Sequence, residues 1–305
     1  MTVKEYLDNL TKGAINVAAG GQLQPQDADK FISEVRDQND FFGSVAEVVT
    51  VTGSKKNIDT IGLDSRVARK ATEGVAPSAT VGANFSRRVL TPIEMILPYD
   101  VTYDFLEENI EGSSADALLQ GVFAKQFSND MLDLGCNGDE ADADAFVSIN
   151  DGWITTMKGD ANTNALAVTA GQETNYKGEI FPGLIKTLPS KFRSNPADLV
   201  LLVSPDVEID YRESLAARAT ALGDQMLQER RAARYTGIDV VAVPFWPDTF
   251  FALTPKKNLK VGISRAMAFE TQRQPRNRVV EYTISAKADF EYAISSAIAY
   301  ANTGA

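Results

Sequence analysis

The chain has 305 residues, 44% of them apolar and 23% charged, with a formal charge of −11 at pH 7. That is enough apolar material for one large or two ordinary domains around a sizeable core. It contains no histidine and one cysteine, Cys136, which excludes Ser-His-Asp and Cys-His catalysis, histidine-ligated zinc, histidine pH switching and any intrachain disulfide.

The opening MTVKEYLDNL lacks a basic region followed by an apolar stretch, and no run in the chain approaches eighteen apolar residues, so neither a secretion signal nor a membrane helix is expected. Val3, Tyr6, Leu7, Leu10, Ile15 and Val17 predict a helix ending near Ala18, broken by Gly20-Gly21. A second short helix is predicted over 26–39. Neither buries enough surface alone, so residues 1–48 read as an arm that docks elsewhere. Val45 to Thr52, rich in valine and threonine, reads as a strand. Residues 49–92 have few large apolar side chains and several glycine and proline turns, and predict a long two-stranded excursion with a loose tip at SRVARKATEGVAPSATVG. Each arm of about 20 residues would reach roughly 65 Å if fully extended. An isolated hairpin of this kind is barely stable in water and needs a partner surface.

Ile93, Met95, Leu97, Tyr99, Val101 and Tyr103 alternate with Glu94, Ile96, Pro98, Asp100, Thr102 and Asp104, which predicts a half-buried strand, edge or bent because of Pro98. The next stretch, Ser113 to Leu134, predicts the principal helix. Ser113 with Asp116 has capping-box spacing, and Gly135 is placed to stop it. Leu118, Leu119, Val122, Phe123, Phe127, Met131 and Leu134 form one apolar stripe over about 33 Å. The acidic loop NGDEADADAF follows. It has oxygens for a calcium ion but lacks the glycine and terminal glutamate of an EF-hand loop, so it reads as solvated. Residues 150–177 look turn-rich around Trp153, and 179–192 predict a helix with Pro182 in its first turn. An α/β piece comes next: DLVLLVS as a buried strand, Ser204-Pro205 as a helix start, helices to about Arg234, then GIDVVAVPF and FFALT as strands. Arg230, Arg231 and Arg234 read as a solvated helix C-terminus rather than a phosphate site. Finally Val280, Tyr282, Ile284, Ala286, Ala288, Phe290, Tyr292 and Ile294 alternate without a break, a strand of about 50 Å pairing with 266–272.

A long helix, a longer strand, an arm and a projecting hairpin describe an elongated plate whose apolar faces are best covered by copies of itself. Charge is divided accordingly. Residues 49–92 carry seven bases, Lys55, Lys56, Arg66, Arg69, Lys70, Arg87 and Arg88, against three acids. Residues 100–144 carry twelve acids, among them Glu107, Glu108, Glu111, Asp116, Asp130 and Asp133, against Lys125. These thirteen named residues are the candidate intersubunit contacts, with the basic hairpin of one subunit over the acidic helix of the next. The net negative charge argues against binding nucleic acid with the whole surface.

The order of parts resembles the major capsid protein of tailed bacteriophages, the Hong Kong 97-like α+β fold. The resemblance covers nearly the whole chain and rests on LTPIEMILPYDVTYDFLEENIEGSSADALLQGVFAKQF ending in LGCNGDE, and on LTPKKNLKVGISRAMAFETQRQPRNRVVEYTISAKADFEYAISSAIAYA. The opening passage from Gly13 to Val51 is similar to capsid proteins of temperate myophages. The resemblance implies an N-terminal arm (1–48), an extended loop (49–92), a peripheral domain with a spine helix (93–196 and 264–305) and an axial domain (197–263). It further implies hexamers and pentamers closing into an icosahedral virion shell around double-stranded DNA, assembled in the bacterial host cytoplasm. The implied partners are a portal protein and a scaffolding or decoration protein, with no membrane, no cofactor, no metal and no catalytic residue. Because the chain opens on an arm, internal cleavage is not expected, and no lysine is assigned to a covalent crosslink.

Two alternatives remain at this level. One is an encapsulin-like nanocompartment shell that encloses enzyme cargo. The other is an enzyme using carboxylate pairs such as Asp139 with Asp142 or Glu107 with Glu108, against which stands the lack of any phosphate loop, nucleophile elbow or metal spacing.

Overall fold

The computed structural model describes residues 14–15, 45–62, 68, 70, 84–108, 115–216 and 233–304. In chain order these form β1 (Ala14–Ile15), β2 (Glu47–Thr50), β3 (Lys56–Gly62), β4 (Asn84–Leu90), β5 (Ile93–Thr102), α1 (Tyr103–Glu108), α2 (Ala115–Asn137), α3 (Trp153–Gly159), β6 (Asn164–Leu166), α4 (Phe181–Thr187), β7 (Leu199–Val203), α5 (Pro205–Ala216), β8 (Arg234–Tyr235), β9 (Ile238–Ala242), β10 (Phe250–Pro255), β11 (Leu259–Gln274), β12 (Val279–Tyr292) and β13 (Ala299–Asn302).

The alternation read at the C-terminus produces β12, which pairs antiparallel with β11 on one side and β5 on the other, in the five-stranded order β1-β5-β12-β11-β2. Period-two patterning sends Tyr282, Ile284, Ala286, Ala288, Phe290 and Tyr292 to one buried face. Helix α2 lies on that face. Tyr99 of β5 stacks between Phe123 of α2 and Tyr282, with ring centroids 4.1 and 5.0 Å away. Pro98 falls in the part of β5 that has β12 as its single partner, the edge position its missing N–H calls for.

Gly135 does not stop the helix. It lies inside α2, which runs to Asn137, because a Cβ there would come within 2.7 Å of Phe290 Cε1. Phe290 is buried and packs edge-on against Trp153 at 5.4 Å, so the ring has nowhere to go. The glycine serves close approach of helix to sheet. The proposed cap residue Ser113 lies outside the described residues, as do the helix at 26–39 and the loop tip apart from positions 68 and 70. The predicted helix over residues 3–18 is corrected at Ala14–Ile15, which extend β5 as a parallel strand pair where that strand has a free edge.

The second sheet has order β6-β13-β10-β7-β9-β8. Its central strand β7 is wholly buried because both faces are covered. Val200 and Leu202 join the core beneath α2, while Leu199, Leu201 and Val203 join a second core with α4 and α5. Ser204 starts α5 as the sequence predicts, its Oγ accepting from Val207 N at 3.2 Å.

Three expectations change. The stretch 150–177 contains α3, whose Trp153 is fully buried and donates through Nε1 to Glu291 O at 3.1 Å. The helix predicted over 179–192 is a π-turn at Tyr176–Ile180 followed by α4, ending at Thr187. Arg234 is not at a helix C-terminus but in β8, paired with Asp239 at 2.7 Å; Arg230 and Arg231 lie outside the described residues.

The close approach of α2 to β12 reverses the usual effect of replacing a helical glycine. Gly135→Ala should lower subunit stability by about 1–3 kcal/mol through overpacking, despite the roughly 1 kcal/mol that alanine gains in helix propensity. Gly121→Ala, in the same helix with open space around the site, should raise it. Urea denaturation of the two variants measures both signs.

Candidate intersubunit surface

Among the described residues, strands β3 and β4 pair only with each other. Their register divides the hairpin into two faces. Lys56/Leu90, Ile58/Arg88, Thr60/Ser86 and Gly62/Asn84 face one way; Asn57/Val89, Asp59/Arg87 and Ile61/Phe85 face the other. The first face turns toward the body at its base. Leu90 is fully buried and rests on Gly262 of β11, where a Cβ would meet Leu90 Cδ1 at 2.9 Å. Farther out, Thr60, Gly62, Asn84 and Ser86 line a cleft of about 490 Å³ opposite Asn162, Phe192 and Ser296.

The second face is open. Ile61 and Phe85, directly opposite each other, are 70% and 76% exposed, and Val89 is also exposed. Arg87 and Asp59 form an exposed cross-strand ion pair at 2.6 Å, which contributes little to stability.

Arg88 does something different from its neighbour. Its guanidinium is bonded to the Asp160 carboxylate, donates to Ser295 Oγ at 2.9 Å and Tyr292 Oη at 3.3 Å, lies 3.6 Å from Glu291 Oε1, and sits over the Tyr292 ring at 4.7 Å. Tyr292 Oη in turn donates to Asp160 Oδ2 at 2.9 Å. Three residues beyond Arg88, just past the end of β4, Thr91 N donates to Asp289 Oδ2 at 2.5 Å, and Asn150 Nδ2 holds the other oxygen at 2.9 Å.

Burial alone would raise Asp160. The N–H of Asn162, the hydroxyls of Ser295 and Tyr292, and the Arg88 charge outweigh it and bring the carboxyl down to about 2. Burial dominates at Glu291, which lies above the usual range despite the Tyr292 N–H and Arg88, with Asp289 and Asp160 adding repulsion. Burial and the Asp160 bond also push the Tyr292 phenol up.

The other candidate contacts are distributed as follows. Lys55 and Lys70 are exposed, and Lys56 Nζ donates to Thr50 O at 2.7 Å. Arg66, Arg69 and Glu111 lie outside the described residues. Glu107 is exposed on α1; Glu108 and Asp116 are placed on their helices by backbone only. Asp130 is half-buried and accepts from Gln126 at 2.6 Å; burial raises its pKa, against that bond and with help from Asp133. Asp133 accepts from Asn137 Nδ2 at 2.7 Å, and the same nitrogen donates to Phe245 O at 2.7 Å. Among the described residues, no ion pair joins the hairpin bases to Glu107, Asp130 or Asp133 within one chain.

In the acidic loop the carboxylates turn onto their own backbone. Asp139 accepts from Ala141 N, Asp142 from Asp144 N, Asp144 from Phe146 N and Val147 N, and Asp151 from Glu140 N, at 2.8 to 3.2 Å. Among the described residues, no three acidic or cysteine side chains are grouped to hold a metal ion.

Sequence reasoning did not single out Asp160, Glu291, Tyr292 or Ser295. Two signals were present: the GDAN run, in which Asp160 closes a turn on Asn162 N at 2.9 Å, and the position of Glu291-Tyr292 at the end of the long alternating strand.

The model of the family described as phage major capsid protein, P2 family, matches residues 7–302. The chain belongs to that family. A curated relative, the putative prophage capsid protein YqbE of Bacillus subtilis (strain 168), is 26% identical over 318 residues covering 98% of each chain. Among solved structures, the capsid of an empty GTA particle superposes with a TM-score of 0.64 at 15% identity over 95% of this chain and 98% of that one. A satellite phage P4 procapsid subunit superposes with a TM-score of 0.58 at 14% identity over 85% and 92%.

These likenesses show the Hong Kong 97-like capsid fold in the α+β class. The protein is a phage major capsid protein, a structural component of the virion that assembles with copies of itself into a shell, and its family is not enzymatic. The encapsulin alternative is therefore not favoured, and the carboxylate-pair enzyme is set aside.

A carboxylate with a depressed folded-state pKa stabilises above its unfolded value and loses that contribution as pH falls. For Asp160 the loss runs from about pH 4 down through about 2. Glu291, raised by burial, works in the opposite sense at higher pH. An acid titration followed by tryptophan fluorescence should therefore be shallower between pH 4 and 2 in Asp160→Asn than in the native protein.

Proposed function

We propose that this capsid protein forms hexamers and pentamers that close into an icosahedral phage head around double-stranded DNA, assembled in the bacterial host cytoplasm, and that the hairpin of one subunit lies over the acidic helix side of the next. The observation that carries the reading is the Ile61/Phe85 pair. Two large apolar side chains directly opposite each other, both more than two-thirds exposed, stand on a two-strand ribbon that has no further strand partner among the described residues of its own chain. Such a ribbon is marginal in water and is stabilised when its open face is covered.

Charge supports the same partner. Lys56, Arg87 and Arg88 are engaged within the chain, so we assign to Lys55 and Lys70, with Arg66 and Arg69 of the loop tip, the charge that meets Glu107, Glu108, Glu111, Asp116, Asp130 and Asp133 of the neighbour. The packaged DNA is enclosed without sequence-specific contact, in keeping with the overall charge of −11. A portal protein at one vertex and a scaffolding or decoration protein complete the assembly. The procapsid among the structural neighbours includes a size determination protein, and an accessory partner of that kind is proposed here by analogy. In domain terms the arm spans residues 1–48, the extended loop 49–92, the axial domain 197–263 and the peripheral domain the remainder. We extend the axial unit to β6 and β13, which belong to its sheet.

Reversing Arg66, Arg69 and Lys70 to glutamate together should block assembly while leaving a folded subunit, read by sedimentation velocity and negative-stain microscopy. Ile61→Ser with Phe85→Ser should do the same. Normal shells from either variant would reject the hairpin-on-helix contact.

A further inference from the structure

Arg88 stands where three parts of the molecule meet. It belongs to β4 of the hairpin. Glu291 and Tyr292 end β12, the central strand of the first sheet. Asp160 precedes β6 and Ser295 opens the turn before β13, so both lead into the second sheet. One guanidinium thus reaches the hairpin, the five-stranded sheet and the six-stranded sheet.

A planar fork with five donors suits this task, because each contact fixes an angle as well as a distance. The fork is only about a quarter exposed, and Asp160 and Glu291 are less exposed still. Removing the cation would leave two carboxylates facing each other at low solvent exposure, a strongly unfavourable arrangement. Arg87, its neighbour, makes one exposed pair confined to the hairpin and touches neither sheet. Beyond the Arg88 and Leu90 base, the hairpin's inner face does not pack tightly on the body but spans the cleft lined by Thr60, Ser86, Asn162 and Phe192. The direction of the projecting ribbon is therefore set at its base.

We infer that Arg88 is a positioning residue for assembly: it fixes the direction in which the hairpin leaves the body by tying β4 to the ends of both sheets, so that the exposed Ile61/Phe85 face is presented at one angle to the neighbouring subunit. The inference rests on the hairpin contact proposed above, and the joint has an effect of its own within the isolated subunit. A joint that holds the hairpin shows as protection of hairpin amides before any assembly occurs.

The test uses the full chain with Arg88→Gln, Arg88→Lys and Arg87→Gln. Hydrogen exchange on the unassembled subunit reads the hairpin (56–62 and 84–90) against the core strand 199–203, and sedimentation reads closed particles. In Arg88→Gln, exchange in the hairpin should rise at least tenfold with the core strand unchanged, and the yield of closed particles should fall at least tenfold. Arg88→Lys, which keeps the charge but loses the fork, should fall between Arg88→Gln and the native protein in both readouts, and Arg87→Gln, whose exposed pair lies within the hairpin, should match the native protein in hairpin exchange.

If Arg88→Gln also loosens the core strand, the lysine variant decides: a loosened hairpin over a protected core with reduced particle yield upholds the inference, and native behaviour in both readouts overturns it. Unchanged hairpin exchange in Arg88→Gln, or a loosened hairpin with normal particle yield, overturns it as well. The two readings separate through the Ile61→Ser, Phe85→Ser variant. If that variant assembles normally, the hairpin contact itself falls. If it fails to assemble while Arg88→Gln assembles, only the positioning role falls.

Discussion

Strand β12 is packed on both faces and paired on both edges, and the positions of the other parts follow from that. Its inner side chains include Tyr282 and Phe290, which lie against the α2 side, while Asp289 and Glu291 of the opposite parity hold the turn after β4 and, together with Tyr292, the Arg88 fork. Apart from the strand's end, where Arg88 reaches both Glu291 and Tyr292, each contact uses one parity of the same alternation, so a one-residue slip in the β12 register would move the apolar set to the hairpin side and the carboxylates under the helix. The absence of a side chain at Gly135 permits the closest of these approaches. The helix can lie against Phe290 only because nothing stands between them.

The same logic divides the second sheet. Strand β7 is buried on both faces, and β10 alternates Phe250 and Ala252 toward the first core with Phe251 and Leu253 toward the second. The two cores share these strands as a wall. Asn137, bonded to both Asp133 and Phe245 O, ties the end of the long helix to the turn between β9 and β10. The two sheets therefore meet through side chains that neither could place alone. The Arg88 cluster lies where β12 gives way to β13.

Much of this was legible in the sequence where the signal is periodic and local. The fifteen-residue alternation ending near Ile294 predicts β12, Ser204-Pro205 predicts the start of α5, and DLVLLVS predicts a strand covered on both sides. What was not legible depends on tertiary partners. Gly135 reads as a stop because glycine ends helices when nothing opposes it, and only the presence of Phe290 gives it a packing role. Trp153 reads as part of a turn-rich stretch because α3 is a short helix whose stability comes from burial under β12 rather than from propensity. The Arg88 joint is the sharpest case. Its members are separated by as many as 207 residues in the chain, and adjacent arginines at 87 and 88 look equivalent until the strand register sends one outward and the other into the body.

That register also explains why basic residues on a hairpin need not act as one surface. In a β-ribbon, neighbouring charges along the strand face opposite ways, so the bases of β3 and β4 divide into an inward set, Lys56 and Arg88, and an outward one, Arg87. Arg88 of the inward set is largely desolvated and satisfied by Asp160 and Glu291, where its geometry matters more than its field. The exposed bases are solvated, and their field acts over roughly the 8–10 Å screening length at physiological salt. Such a field steers a neighbour into place, whereas the Ile61/Phe85 pair supplies the apolar area that a stable contact removes from water. Direction, approach and burial are thus assigned to different side chains of one short ribbon, all set by whether a residue occupies an odd or an even position along it.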